Sequence, residues 1–364
     1  MVDSALTHPT YKFVDEKEAD AFAWIFVDDH SPMKKVAIKL PELKPDEVRI
    51  KVTYTGLCHS DLHSVRGHWG PAAYPLAPGH EIVGRVTHLG SEVKNLQIGD
   101  VVGLGGARQC CNKCASCTHE MEQLCDSKEL EQQYTYGPKF WGGYMTSIQH
   151  PQDFFIKVPK ELPEDKVPPL FCAGITLYAP IARYAKPGQN VAVLGIGGLG
   201  HLGVMYAKAW GCNVTAFTTS KEKEAFIKKL GADRVVISNT ESYQQEAGKY
   251  DLVLNTLPGA DDSINFVGLT AKRGTFVQLG APPLGTNFQI SPFQFMMGHS
   301  TFTGSGGGNR KETREMLEFS AKHNILPLCE TFDFDDFPKA FDRLEHGKPI
   351  FRCVVDVTKA DPKH

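Results

Sequence analysis

Residues Asn190–Gly200 read NVAVLGIGGLG. Asn190–Leu194 is an apolar run closed by glycine, the pattern of a buried strand. Gly195, Gly197 and Gly200 then fit G-x-G-x-x-G, with Gly198 and Leu199 inside the motif, and Leu202–Trp210 carries a helical pattern. Strand, glycine turn and helix in that order give the motif its meaning. The glycines allow a tight turn and close backbone approach, and the helix N-terminus draws in a pyrophosphate. Working outward, strands are expected at Asn213–Phe217, Arg234–Ile237, Leu252–Asn255, Thr275–Leu279 and Thr301–Gly304, with a helix over Lys221–Leu230. Six strands with intervening helices predict an α/β fold with a doubly wound parallel sheet, assigned to residues 169–305.

Upstream the texture is different. Glu47–Tyr54 (EVRIKVTY) and Ile82–Leu89 (IVGRVTHL) alternate as strands do, and residues 1–168 read as a β-rich domain with a cysteine lobe at about 105–130. The tail, 306–364, carries helices up to His323 and at Phe337–Leu344, then a strand at Cys353–Val357. It is expected to return to the first domain, because the six-strand unit is already complete. A chain of 364 residues suits two domains. Its formal charge of -3 argues against a nucleic-acid partner. Neither a secretory signal nor a membrane-spanning run is visible, so a cytoplasmic protein is expected.

Ten cysteines stand out, five of them between Cys110 and Cys125. Cys111, Cys114, Cys117 and Cys125 form C-x2-C-x2-C-x7-C, in which short spacings bring thiolates to one tetrahedral zinc. Four protein donors close the coordination sphere, so this site staples a lobe and does no chemistry. Cys110 is a possible replacement for Cys111; the x2-x2 rhythm favours Cys111.

A second donor set is dispersed. Cys58 opens Cys58-His59-Ser60-Asp61-Leu62-His63, His80 and Glu81 follow, and Cys172 comes much later. Cysteine and histidine donors from distant segments make a three-ligand zinc with an open position, where a Lewis acid lowers the pKa of a bound alcohol. Glu81 is a candidate alternative ligand or a neighbouring anion. Asp61 reads either as the carboxylate that orients a ligand histidine or as a helix N-cap. Ser60 is placed to accept the alcohol proton and His63 to pass it to solvent. Trp69 and Trp141 are candidate pocket walls, with core packing as their alternative.

At the end of the second strand of the sheet an NAD site would carry an acidic residue. Here the sequence is Thr218-Thr219-Ser220-Lys221-Glu222-Lys223. Hydroxyls and lysines suit the 2′-phosphate of NADP, while Ser220 also reads as a helix cap.

Taken together, GLCHSDLHSVRGHWG, YPLAPGHEIVGRV, the four-cysteine lobe, FCAGITLY, VLGIGGLGHLGVMYAKAWG, AFTTSKEKE and the tail IFRCVVDV resemble the zinc-containing medium-chain alcohol dehydrogenases, in particular the NADP-dependent cinnamyl alcohol dehydrogenase-like group. The resemblance implies a GroES-like catalytic domain and a Rossmann domain, two zinc ions and NADP(H) per chain, and a homodimer. It implies Cys58, His80 and Cys172 as catalytic ligands with Glu81 close by, Ser60 and His63 as a proton relay, and Asp61 in support. It places Thr176 at the nicotinamide, Thr219, Ser220, Lys221 and Lys223 at the 2′-phosphate, and Arg352 near the cofactor phosphates. The implied reaction is reversible hydride transfer between NADP(H) and a primary alcohol/aldehyde pair, aromatic or medium-chain. Gly304–Gly308 (GSGGG) and the His68-Trp69 pair depart from the group's pattern. Two other readings compete: a binding module built on the four-cysteine zinc, and a related fold that reduces C=C or C=N bonds. The first needs a basic surface; the second would be expected to lose a zinc ligand or the relay.

Overall fold

The computed structural model describes residues 6–259, 262–346 and 351–360. Two compact units emerge: Met1–Cys172 with Asn309–Ala321 and Leu326–His364, and Ala173–Gly308 with Lys322–Ile325.

The first unit begins with β1 (Lys12–Phe13), β2 (Ala21–Ile25) and β3 (Lys34–Lys39), a three-stranded sheet in the order β1-β3-β2. Then come β4 (Glu47–Leu57), α1 (His59–Val65), β5 (Ile82–Leu89), β6 (Val101–Leu104), the short α2 (Ala115–Thr118), β7 (Ser147–Pro151) and β8 (Ile156–Lys157). Strand β4 is longer than the alternation suggests. Val48, Ile50 and Val52 are fully buried on its inner face, each removing enough apolar surface from water to contribute about 2 kcal/mol.

The second unit runs α3 (Ala173–Tyr184), β9 (Asn190–Leu194), α4 (Gly200–Ala209), β10 (Asn213–Thr218), α5 (Glu224–Lys229), β11 (Arg234–Ile237), α6 (Thr240–Gln245), β12 (Tyr250–Asn255), α7 (Ser263–Gly268), β13 (Thr270–Gln278), α8 (Pro292–Gly298) and β14 (Thr301–Gly304). Its sheet is ordered β11-β10-β9-β12-β13-β14 and every pairing is parallel. That is the doubly wound order, with the switch point between β9 and β12. The helix expected over Lys221–Leu230 is a single 3-10 turn at Lys221–Lys223 followed by α5.

The tail adds α9 (Arg310–His323), β15 (Cys329–Asp333), α10 (Phe337–Glu345) and β16 (Arg352–Asp356). Strand β16 lies antiparallel to β4 and completes a sheet ordered β15-β16-β4-β5-β6-β8, with β7 also on β4. Cys172 follows a tight turn, Pro168–Phe171, that packs on β4, β5, β6 and β16. It therefore belongs to the first unit, four residues beyond the boundary expected from sequence. Phe171 lies so close over Gly103 of β6 that a Cβ there would collide with its ring. No helix among the described residues is long and apolar enough to cross a membrane.

Candidate active site and metal centres

Helix α1 starts at Cys58, which is its N-cap in extended conformation. Asp61, three residues on, closes a capping box: its Oδ2 accepts the Cys58 N–H at 3.0 Å. The N-cap role expected as the alternative for Asp61 falls to Cys58. Asp61 is not the N-cap itself, yet its carboxylate also faces His80 Nδ1 at 2.8 Å and accepts the Gly79 N–H at 3.1 Å. Tyr144 donates its hydroxyl to the same group at 3.2 Å. Asp61 is fully buried, so every one of these bonds replaces water.

With Asp61 on Nδ1, the Nε2 of His80 faces Cys172 Sγ at 3.1 Å, and Cys58 and Cys172 sulfurs are 3.7 Å apart. Ligand atoms of Cys58, His80, Glu81 and Cys172 all lie within 4.8 Å of one another. The donors fit zinc: two sulfurs, one nitrogen and a nearby carboxylate. Glu81 strengthens the fit, because its Oε2 is buried without a hydrogen-bond partner. Burial works against a charged His80, yet the Asp61 carboxylate and the Cys58 sulfur hold its pKa up at about 10. A hydrogen bond from Cys172, set against burial and aided by Arg352, pushes Cys58 far below the usual thiol range, while Cys172 is pushed up.

Arg352, at the start of β16, is buried and its guanidinium bonds Glu81 Oε1. Within the first unit its contact is the Glu81 carboxylate. Ser60 lies one residue into α1, its Oγ 3.6 Å from Cys58 Sγ. His63 follows one turn later, and its hydrogen-bond partner is His68, a pairing the sequence reading does not make. Tyr136 is also absent from that reading: its hydroxyl meets Ser64 Oγ at 3.0 Å and its ring centroid is 6.1 Å from that of His80. Trp141 is core, fully buried, stacked on Tyr11 and donating to the Pro75 carbonyl. Trp69 packs instead on His63, with ring centroids 4.9 Å apart.

In the lobe, sulfur–sulfur distances are 3.9 Å for Cys111–Cys117, 3.5 Å for Cys114–Cys117 and 3.9 Å for Cys114–Cys125. A tetrahedron with zinc–sulfur bonds of about 2.3 Å has edges of about 3.8 Å. Backbone N–H groups of Cys111 and Cys114 also point at Cys125 and Cys111 sulfurs. Amides of Lys113 and Cys114 draw the Cys111 thiol down to about 6. Cys110 turns away to Asn112 Oδ1 at 3.0 Å, and the cluster is Cys111, Cys114, Cys117 and Cys125.

In the second unit Gly195 has φ +82°, and a Cβ at Gly200 would collide with the Gly195 carbonyl. At Gly197 a Cβ would meet nothing within 4 Å, so this is the open face a pyrophosphate would approach. Gly198 and Leu199 are half-buried in the same turn, and α4 begins at Gly200. Thr219, Lys221 and Lys223 are exposed beyond β10. Ser220 does not cap the next helix through its side chain; its hydroxyl donates to Glu222 at 2.7 Å. Thr176 sits in the first turn of α3.

Residues 44–160 match the family described as alcohol dehydrogenase GroES-like domain, and residues 198–322 the zinc-binding dehydrogenase family. A probable mannitol dehydrogenase of Fragaria ananassa is 38% identical over 94% of this chain and 96% of its own. The chain belongs to the zinc-binding alcohol dehydrogenases. Within them it fits the cinnamyl alcohol dehydrogenase-like group. The cinnamyl alcohol dehydrogenase structure of Sorghum bicolor is 32% identical and superposes with a TM-score of 0.87, covering 94% of this chain and 99% of that one. The Helicobacter pylori enzyme of the same class, solved with NADP(H), is also 32% identical, with a TM-score of 0.85 and coverage of 93% and 98%. The fold is a GroES-like domain with a Rossmann domain, and the enzyme is an oxidoreductase of alcohol–aldehyde pairs.

Proposed function

We propose that this alcohol dehydrogenase is a homodimeric, cytoplasmic, NADP-dependent zinc enzyme that interconverts aromatic or medium-chain primary alcohols and their aldehydes. The observation that carries it is the Cys58–His80–Cys172 donor set backed by Asp61. Zinc, when held there, supplies a Lewis acid to the substrate oxygen, and NADP(H) gives or takes the hydride. Asp61 fixes the His80 tautomer, leaving Nε2 for the ion. Glu81 stands as an exchangeable donor, its other oxygen held by Arg352. Ser60 takes the proton of the alcohol oxygen and His63 carries it outward. Thr176 touches the nicotinamide.

The NADP preference rests on the segment just past β10. Thr218, where an NAD site would carry an acidic residue, ends the strand and its Oγ1 accepts the Ser220 N–H at 3.2 Å. Lys221 and Lys223 supply charge for a 2′-phosphate. Apolar Trp69 and Tyr136 beside the relay and the zinc ligands support an aromatic or alkyl substrate. A dimer is supported by the β14 edge and by Phe293, Met296 and Met297 of α8, all exposed together with Phe302.

The test is steady-state reduction of cinnamaldehyde with NADPH and with NADH. Higher kcat/KM with NADPH is expected. A clear preference for NADH would overturn the reading of Thr219–Lys223.

A further inference from the structure

The chain leaves the cysteine lobe through a loop that ends on the helix carrying Ser60. At the base of the lobe, residues 106–109 run antiparallel to 133–135: the Arg108 N–H bonds the Gln133 carbonyl at 2.7 Å and the Thr135 N–H the Gly106 carbonyl at 3.0 Å. Residues 134–140 then turn around the buried side chain of Gln132. Its amide donates to the carbonyls of Tyr134 and Phe140 at 2.9 and 3.0 Å and accepts the N–H groups of Lys139 and Phe140, both at 3.0 Å. Two donors and two lone pairs are the whole bonding capacity of that amide, and all four hold this loop. The loop carries Tyr136. Its hydroxyl reaches Ser64 Oγ at 3.0 Å and the Ser60 carbonyl at 3.5 Å. Ser60 and Ser64, four residues apart, lie one above the other on a single face of α1. A hydroxyl donates once, which is satisfied with Ser64 donating to Tyr136 and Tyr136 to the Ser60 carbonyl. Helix α1 has seven residues, and a helix that short is marginal on its own in water. The Cys58–Asp61 capping box fixes its start, and Tyr136 bridges the turn that follows.

We propose that Tyr136 is a positioning residue for the proton step: its hydroxyl holds the Ser60 turn of α1 in place, and Gln132 holds Tyr136. The idea rests on Ser60 exchanging the substrate proton. In aldehyde reduction the carbonyl carbon gains a hydride and its oxygen gains the Ser60 proton, which His63 replaces. Tyr136 supplies none of these atoms. It fixes the backbone from which the Ser60 hydroxyl projects, and a small misplacement of such a group is enough to slow a transfer. The Tyr136 ring centroid is 6.1 Å from that of His80, and the Asp61 carboxylate is a further neighbour of the hydroxyl, so the same tyrosine also borders the metal donors. The cysteine lobe, which does no chemistry itself, thereby contributes to the proton step through the segment that leaves it.

The experiment compares the unaltered enzyme with Tyr136→Phe, Gln132→Ala and Ser60→Ala, each zinc-loaded, in the reduction of cinnamaldehyde by NADPH in light and in heavy water. Tyr136→Phe keeps the ring and loses only the hydroxyl. It is expected to lower kcat about tenfold and to enlarge the solvent isotope effect on kcat, with the KM for NADPH and the zinc affinity unchanged. Gln132→Ala is expected to lower kcat as well. The double variant should be no slower than the slower single one, because both changes act through one hydroxyl. A Tyr136→Phe enzyme with the original kcat and solvent isotope effect overturns the proposal. A loss of kcat matched by a loss of zinc affinity also overturns it, because the effect then lies at Asp61 and His80. Losses that add in the double variant overturn the part given to Gln132. Full activity of Ser60→Ala removes the relay itself, and this proposal with it.

Discussion

The carboxylate of Asp61 joins the N-terminus of α1 to the ring of His80, 2.8 Å from Nδ1 on one side and 3.0 Å from the Cys58 N–H on the other. Two candidate metal donors from separate segments are thereby set by one buried side chain. Tyr144 and the Gly79 N–H fill the rest of its bonding capacity. The helix cap and the candidate metal site share this carboxylate.

Asp61→Asn keeps the size of the side chain but puts an amide N–H where an acceptor is needed. Zinc affinity at the catalytic site is expected to fall about 10- to 100-fold, the cost typical of losing a partner behind a ligand histidine. Competition with a chromogenic chelator measures it. Unchanged affinity would mean that Asp61 serves only the helix.

Cys110→Ser and Cys111→Ser separate the two neighbouring thiols. Cys111 faces Cys117 and Cys110 faces Asn112. Zinc analysis is expected to give about two ions per chain for Cys110→Ser and about one for Cys111→Ser. Equal loss in both would show that Cys110 is a ligand.

At the nucleotide site, Lys221→Ala is expected to raise the KM for NADPH about tenfold and to leave that for NADH nearly unchanged, the signature of a lost phosphate contact. Thr219→Asp should shift preference towards NADH, since a carboxylate repels the 2′-phosphate and accepts ribose hydroxyls. Parallel changes for both cofactors would place these residues away from the 2′ position.

His201 gives a pH prediction. It is buried in α4, its Nδ1 3.0 Å from the Gly197 carbonyl, and burial lowers its pKa from 6.5 to about 4. Because the folded pKa lies below the unfolded one, the unfolded chain binds more protons between those values. Stability contributed by the neutral ring is complete above about pH 6.5 and is lost as pH falls towards 4, up to about 3 kcal/mol. Apparent melting temperature against pH should fall less steeply for His201→Gln than for the unaltered protein. Identical slopes would contradict the assignment.

Fold and site are legible in the sequence wherever the determining contacts are local. The glycine turn at Gly195–Gly200 and the x2 spacings of the lobe need only neighbouring residues, so both can be read directly. Cys58, His80 and Cys172 converge from three segments, and only the recognisable stretches around them point to a common site. Contacts made by long-range packing leave no local mark: Tyr144 reaches Asp61 across 83 residues and Arg352 reaches Glu81 across 271. Ser220 looks like a cap because serine commonly caps helices, but its hydroxyl has Glu222 within reach. The His63–His68 pair does have a signal, the glycine just past the end of a helix.

Metal analysis of Cys58→Ala tests the catalytic zinc most directly. The unaltered protein is expected to hold about two zinc ions per chain and the variant about one, with aldehyde reduction abolished while the cysteine lobe keeps its ion. A Cys58→Ala protein that still holds two zinc ions, or still reduces aldehydes at the original rate, would contradict a catalytic zinc at Cys58, His80 and Cys172.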